Sequence, residues 1–81
     1  MSIRVLFFAS LAEITNLHEA ELDAAVYSDV DSIFTKYAKE FPQLEAHRRT
    51  VLYAVNQTFA RPASPVRDGD EVAFFPPVSG G

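Results

Sequence analysis

There is no cysteine in this 81-residue chain. That excludes a disulfide, a thiolate metal site and a thiol nucleophile, and it suits a reducing compartment, so a cytoplasmic setting is expected. Long hydrophobic runs are missing as well. No stretch approaches the ~20 apolar residues of a membrane span. Positive charge is scarce: 7 Lys and Arg against 11 Asp and Glu give a net charge of −4. That balance disfavours nucleic acid or an anionic membrane as a partner.

Catalytic signatures are lacking too. The chain contains no HExxH, GxSxG, P-loop or GxGxxG pattern, so neither a conventional active site nor an ATP site of its own is expected. No metal site is expected, because His18 and His47 stand alone and read as solvent-exposed residues. "DGDE" at Asp68–Glu71 resembles a fragment of a calcium loop, but the remaining ligand spacing is absent, and a tight turn is the simpler reading.

What is present is a foldable core. Nearly half the residues, 48%, are apolar, and 22% are charged, a composition that supports a packed domain over a disordered tail. A single domain of this size buries roughly 60–65% of its unfolded surface. The opening "MSIRVLFFASLAEI" has the outline of a signal peptide, but its basic region is the single Arg4 and its apolar run is short. It reads instead as a strand, with Ile3, Val5 and Phe7 on one side and Arg4, Leu6 and Phe8 on the other.

"ASLAE" follows, and Ser10 with Glu13 makes a capping-box pattern, with Ala9 and Ile14 as a weak staple. A short helix is predicted over 10–16. "LHEAELDAAV" alternates again: Ala20 and Leu22 inward, and Glu19, Glu21 and Asp23 as a solvated acidic row. "SDVDSIFTKYAKEFP" is the clearest helix. Asp29 or Ser28 caps it, Asp31 suits the positive end of the dipole, and Pro42 stops it. Its stripe of Val30, Ile33, Phe34, Tyr37, Ala38 and Phe41 is a core face.

"QLEAHRRT" reads as a polar connection whose basic cluster, His47, Arg48 and Arg49, is peripheral. "VLYAV" is a third strand, "NQ" a turn into "TFA", "RPASPVRDGD" a loop, and "EVAFF" the last strand. In that last strand Val72 and Phe74 point one way, and Glu71, Ala73 and Phe75 the other. The order predicts an α+β roll in which a mixed β-sheet packs on one long amphipathic helix. The first and last strands have the richest apolar patterns and are the candidates for parallel central neighbours, the β-grasp arrangement. Residues 1–75 form that domain and 76–81 an extended tail.

The tail "PPVSGG" carries the chemistry. Pro76 and Pro77 fix φ and have no N–H to offer, so strand pairing stops and the chain runs on extended. Gly80 and Gly81 have no Cβ and fit a channel too narrow for any side chain. A carboxylate at Gly81 resists nucleophilic attack until it is activated, for which an acyl-adenylate serves. An amine attacker then gives a conjugate, and a sulfur donor gives a thiocarboxylate.

Three segments carry a family resemblance: "RVLFFA" at 4–9, "AVNQT" at 54–58 and "DGDEVAFFPPVSGG" at 68–81. With the β-grasp order they resemble the ubiquitin-like sulfur carriers, and among these the small subunits of molybdopterin synthases. The resemblance implies that an ATP-dependent, E1-like activating enzyme adenylates Gly81 and that a sulfur-transfer protein converts it to a thiocarboxylate. It further implies that Pro76, Pro77, Val78, Ser79 and Gly80 insert into the large synthase subunit. Sulfur then passes to cyclic pyranopterin monophosphate to build the dithiolene of molybdopterin. ATP belongs to the activating enzyme, and no cofactor is expected on this chain.

Strand alternation places Phe8 and Phe75 opposite the core, and the resemblance adds Phe59, so an exposed aromatic partner patch is expected. Three other functions fit a Gly-Gly tail or a β-grasp body: a sulfur carrier for thiamine thiazole synthesis, a ubiquitin-like modifier conjugated through the terminal glycine, and a binding module with no terminal chemistry. Carriers for thiazole synthesis are usually shorter, and only Lys36 and Lys39 are available for chain building.

Overall fold

The computed structural model describes residues 1–77. Val78, Ser79, Gly80 and Gly81, on which the tail chemistry was expected, lie outside the described residues. The elements are β1 (Ser2–Phe7), α1 (Ala9–Thr15), β2 (Glu19–Asp23), α2 (Val30–Glu40), a 3-10 helix (Pro42–His47), β3 (Leu52–Val55), β4 (Thr58–Ala60) and β5 (Glu71–Phe75). Five strands form one mixed sheet in the order β2-β1-β5-β3-β4. The first and last strands are therefore central and parallel, in the register Val5↔Val72 and Phe7↔Phe74. The expected β-grasp roll is present.

Alternation decides which face is covered. Ile3, Val5, Phe7, Val72 and Phe74 are buried against α2, whose Val30, Ile33, Phe34, Tyr37 and Ala38 close over them. Phe74 is the hub of an aromatic cluster, with ring centroids 5.6 Å from Phe7, 5.7 Å from Phe34 and 5.5 Å from Tyr53. Rings at these separations attract beyond their area burial.

Helix α2 is capped from two directions. Asp29 accepts from the Ser32 N–H at 2.8 Å, within a reciprocal capping box. The N–H groups of Val30 and Asp31 donate to the carbonyls of Ser64 and Pro62, at 3.0 and 2.9 Å. The loop after β4 thus satisfies N–H groups that the helix itself leaves open.

Local expectations fail in two places, at α1 and after α2. Helix α1 begins at Ala9, so Phe8 occupies the cap position and Ser10 lies inside the first turn. No side chain caps this helix, and the Ser10–Glu13 box does not form. Ala9 sits at φ 51° and is exposed, so it does not staple Ile14. The polar connection after α2 is instead the 3-10 helix, held by the fully buried Leu44. His47 is half-buried there rather than exposed, and its carbonyl accepts from Thr50 and Val51.

Candidate functional site: the open sheet face and the strand leading to the tail

The sheet has one covered face and one open face. On the open face, Phe8 directly follows β1, and its N–H donates to the Phe74 carbonyl at 3.1 Å. The parallel register then brings Phe8 beside Phe75, with ring centroids 6.3 Å apart and planes at 80°. Phe59 on β4 approaches the other side of Phe75 at 5.8 Å. Phe8 is 48% and Phe59 75% exposed, and Phe75 is half-buried between them. The three phenylalanines expected to form a patch are therefore together. They line a groove of about 480 Å³ with Leu6, Ala54, Gln57, Glu71 and Ala73. Large apolar side chains left in water at one place are the kind of surface that interaction sites use, which makes this groove the candidate site.

Two turns fix where β5 starts. Asn56 and Gln57 adopt φ of 51° and 69°, the left-handed pair that a two-residue hairpin needs. From that turn, Asn56 reaches across to β5. Its backbone N–H donates to the Glu71 carbonyl at 2.8 Å, its side-chain oxygen accepts from the Glu71 N–H at 3.0 Å, and its amide donates to Asp70 at 2.9 Å. The Asp68–Glu71 segment is the expected tight turn, with Gly69 at φ 88°. Asp68 accepts from the Ser2 N–H at 2.8 Å, and the Gly69 N–H donates to the Ser2 carbonyl at 2.9 Å. With its start tied to β1 and the β3–β4 turn, β5 delivers Phe75, Pro76 and Pro77 at a set point beside the groove. The clamp formed by Asn56 was not foreseen; its only trace in the sequence is the "NQ" turn.

Charge is sorted across the open face. Arg4 pairs with Glu19 at 3.0 Å and with Glu71 at 3.6 Å, bridging β2, β1 and β5. The acidic row of β2 is thus exposed but partly engaged. On the covered side, against α2, Arg48 is not the peripheral residue that was expected. It bonds Asp31 at 2.7 Å and Thr35 at 3.1 Å, pairs with Glu45, and lies 5.0 Å over the Phe34 ring. Planar guanidinium donors suit such multiple contacts. The hydrogen bond from Arg48 holds the Glu45 carboxyl below its ordinary range. No group of three or more His, Asp or Glu residues that could hold a metal occurs among the described residues. Nor is any helix among them long and apolar enough to cross a membrane.

The sequence profile of the ThiS family matches residues 5–81. The chain belongs to the ThiS family. Among its relatives, the molybdopterin synthase sulfur carrier subunit of Escherichia coli (strain K12) is 41% identical, with 98% of this chain and 99% of that protein aligned. The crystal structure of SAMP1 from Haloferax volcanii superposes with a TM-score of 0.78 at 26% identity, covering both chains fully. A complex of subunits 1 and 2 of the molybdopterin-converting factor from Helicobacter pylori 26695 contains a chain of the same fold. That chain matches with a TM-score of 0.67 at 22% identity, again over the full length of both. The β-grasp body of this ThiS-family member is thus the fold of known sulfur carriers.

Proposed function

We propose that this chain is the sulfur carrier subunit of a molybdopterin synthase. The observation that carries the proposal is the placement of β5. It runs out of the sheet centre beside the Phe8–Phe59–Phe75 groove and directly into "PPVSGG". The 41% identity with the Escherichia coli sulfur carrier subunit supports it.

In this function the Gly81 carboxylate attacks ATP on an E1-like activating enzyme, forming an acyl-adenylate and releasing pyrophosphate. Sulfide-level sulfur delivered by a sulfur-transfer protein displaces AMP and leaves a thiocarboxylate. The aromatic groove docks on the large synthase subunit, and Pro76–Gly80 enter it as a thin extended strand. The terminal sulfur then attacks cyclic pyranopterin monophosphate. Each attack forms a thioester between Gly81 and a pterin carbon. Water cleaves its acyl C–S bond, which leaves the sulfur on the pterin and returns Gly81 as a carboxylate; two such deliveries complete the dithiolene. This chain supplies the docking face, the reach and the acyl end. The nucleotide and pterin sites lie on its partners.

Intact-mass measurement of the protein from its own cells tests the proposal. A mass gain matching one oxygen replaced by sulfur is expected, and it should disappear when the synthase substrate is supplied together with the large subunit. A second function has a specific observation in its favour. SAMP1 from Haloferax volcanii, a small archaeal modifier protein, is 26% identical over the full chain. A modifier would appear instead as higher-mass adducts carrying this chain on lysines of other proteins.

A further inference from the structure

A second groove of about 430 Å³ lies at the β4 edge of the sheet. Its floor and walls include Val51, Leu52, Phe59 and Pro62, and it is rimmed by Arg49 and Arg61. Arg49 precedes β3 and Arg61 follows β4. The antiparallel register Tyr53↔Ala60 brings these two positions to the same end of the sheet. Both side chains are exposed, and neither forms an ion pair among the described residues.

Their backbones are held. The Arg61 N–H donates to the Ser64 hydroxyl at 2.9 Å, within the loop whose carbonyls cap α2. Arg49 lies between the anchored Arg48 and the Thr50 and Val51 amides, which donate to His47. The held backbone removes the loop-ordering part of the cost of binding an anion, and leaves the rotamer entropy of the two arginine side chains.

The location is selective. In a chain of net charge −4, the opposite edge of the same sheet carries Glu19, Glu21 and Asp23. That acidic edge repels a nucleic acid. Phe59 lines both this groove and the aromatic one, so the two form a continuous surface.

We infer that the Arg49–Arg61 groove takes an acidic segment of the same protein partner that covers the aromatic patch. This rests on the proposed docking of the large synthase subunit. Carboxylates of that segment meet the two guanidiniums, while apolar atoms cover Leu52 and Phe59. Acidic and basic edges on either side of the aromatic centre then allow one orientation of the partner.

The test is binding of the purified large subunit from the same organism, followed by calorimetry and stopped-flow kinetics at low and high salt. The variants are R49E/R61E and, separately, Phe75→Arg, each checked by thermal melting. The charge reversal should lower affinity at low salt about tenfold, chiefly through a slower on-rate, and should flatten the salt dependence. Phe75→Arg should weaken binding at every salt concentration. Unchanged affinity and salt dependence in R49E/R61E, with Phe75→Arg still impaired, would overturn the basic groove alone. Unchanged binding in both variants would remove the aromatic docking face as well, and the groove with it.

Discussion

Phe8 and Phe75 meet edge to face at 6.3 Å although they lie near opposite ends of the chain. The parallel pairing of β1 with β5 sets that contact, and it places the aromatic groove at the point where the tail leaves the sheet. Phe75→Arg is expected to leave the body folded, because the side chain is only half-buried on the open face. Affinity for the proposed partner, the large synthase subunit, should fall by at least tenfold, as for a central aromatic anchor. Calorimetry beside a thermal melt checks both halves, and a melted monomer would count against the placement.

Asn56 ties the β3–β4 turn to the start of β5 with one backbone and two side-chain hydrogen bonds. Asn56→Ala removes the side-chain bonds and puts alanine at φ 51°. It should cost about 2 kcal/mol, from lost hydrogen bonds and backbone strain together. Asn56→Gly relieves the strain and loses only the clamp, so it should cost less. Urea unfolding of the two variants gives the ordering, and equal losses would deny the role of φ.

Arg48 joins α2 to the 3-10 helix through Asp31, Thr35, Glu45 and the Phe34 ring. Arg48→Ala should lower stability by about 1 kcal/mol, allowing for screening of its partly exposed partners. Arg49→Ala should leave the melting temperature unchanged. Identical melts for the two would mean that the Arg48 network contributes nothing.

Burial pushes the Tyr37 phenol up to about 12, with Glu40 and Tyr27 adding to the shift. The folded state therefore holds this proton more tightly than the unfolded chain, whose phenol titrates near 10. The linked stability is intact below pH ~10 and is lost as pH rises from there through the folded value, at up to about 1.4 kcal/mol per pH unit. Tyr37→Phe should flatten this alkaline decline in a urea series between those limits. A decline as steep as in wild type would place its origin elsewhere.

The proposed acyl transfer sets strict demands on the tip. Deleting Gly81 withdraws the carboxylate by about 3.3–3.6 Å, beyond the tolerance of a reacting geometry. Thiocarboxylate formation should be lost. Gly80→Val should keep the fold and docking but fail in sulfur delivery, because a branched side chain cannot enter a channel shaped for none. Mass spectrometry of each variant, beside binding to the large subunit, separates these failures. A Gly80→Val protein that delivers sulfur at the normal rate would refute the narrow channel.

Much of the fold was legible because its strongest patterns are periodic. Ile3, Val5 and Phe7 alternate with Arg4 and Leu6, and Val72 and Phe74 with Ala73, so both central strands declared their buried side. The α2 stripe was equally plain, and Asp29 marked its start. The 3-10 helix was not, because one buried leucine among polar neighbours has no period. Ser10 misled because a favourable cap residue cannot act once the helix begins at Ala9. Phe8 and Phe75 followed from alternation. Phe59 lies on a three-residue strand, too short for alternation to decide its side. Asp70 and Glu71, the partners of Asn56, and Asp31 and Thr35, which Arg48 bonds besides its near neighbour Glu45, lie far along the chain, beyond the reach of any local pattern.

The central position of β5 has a consequence for biosynthesis. Before Glu71–Phe75 have been made, the β1–β2 and β3–β4 hairpins have no common neighbour, and the core lacks Phe74. Distant pairings of this kind also make folding comparatively slow. The sheet can close only after the strand that leads to the tail has emerged from the ribosome. A chain broken off upstream of β5 would thus be a substrate for proteases rather than a decoy that occupies the partner.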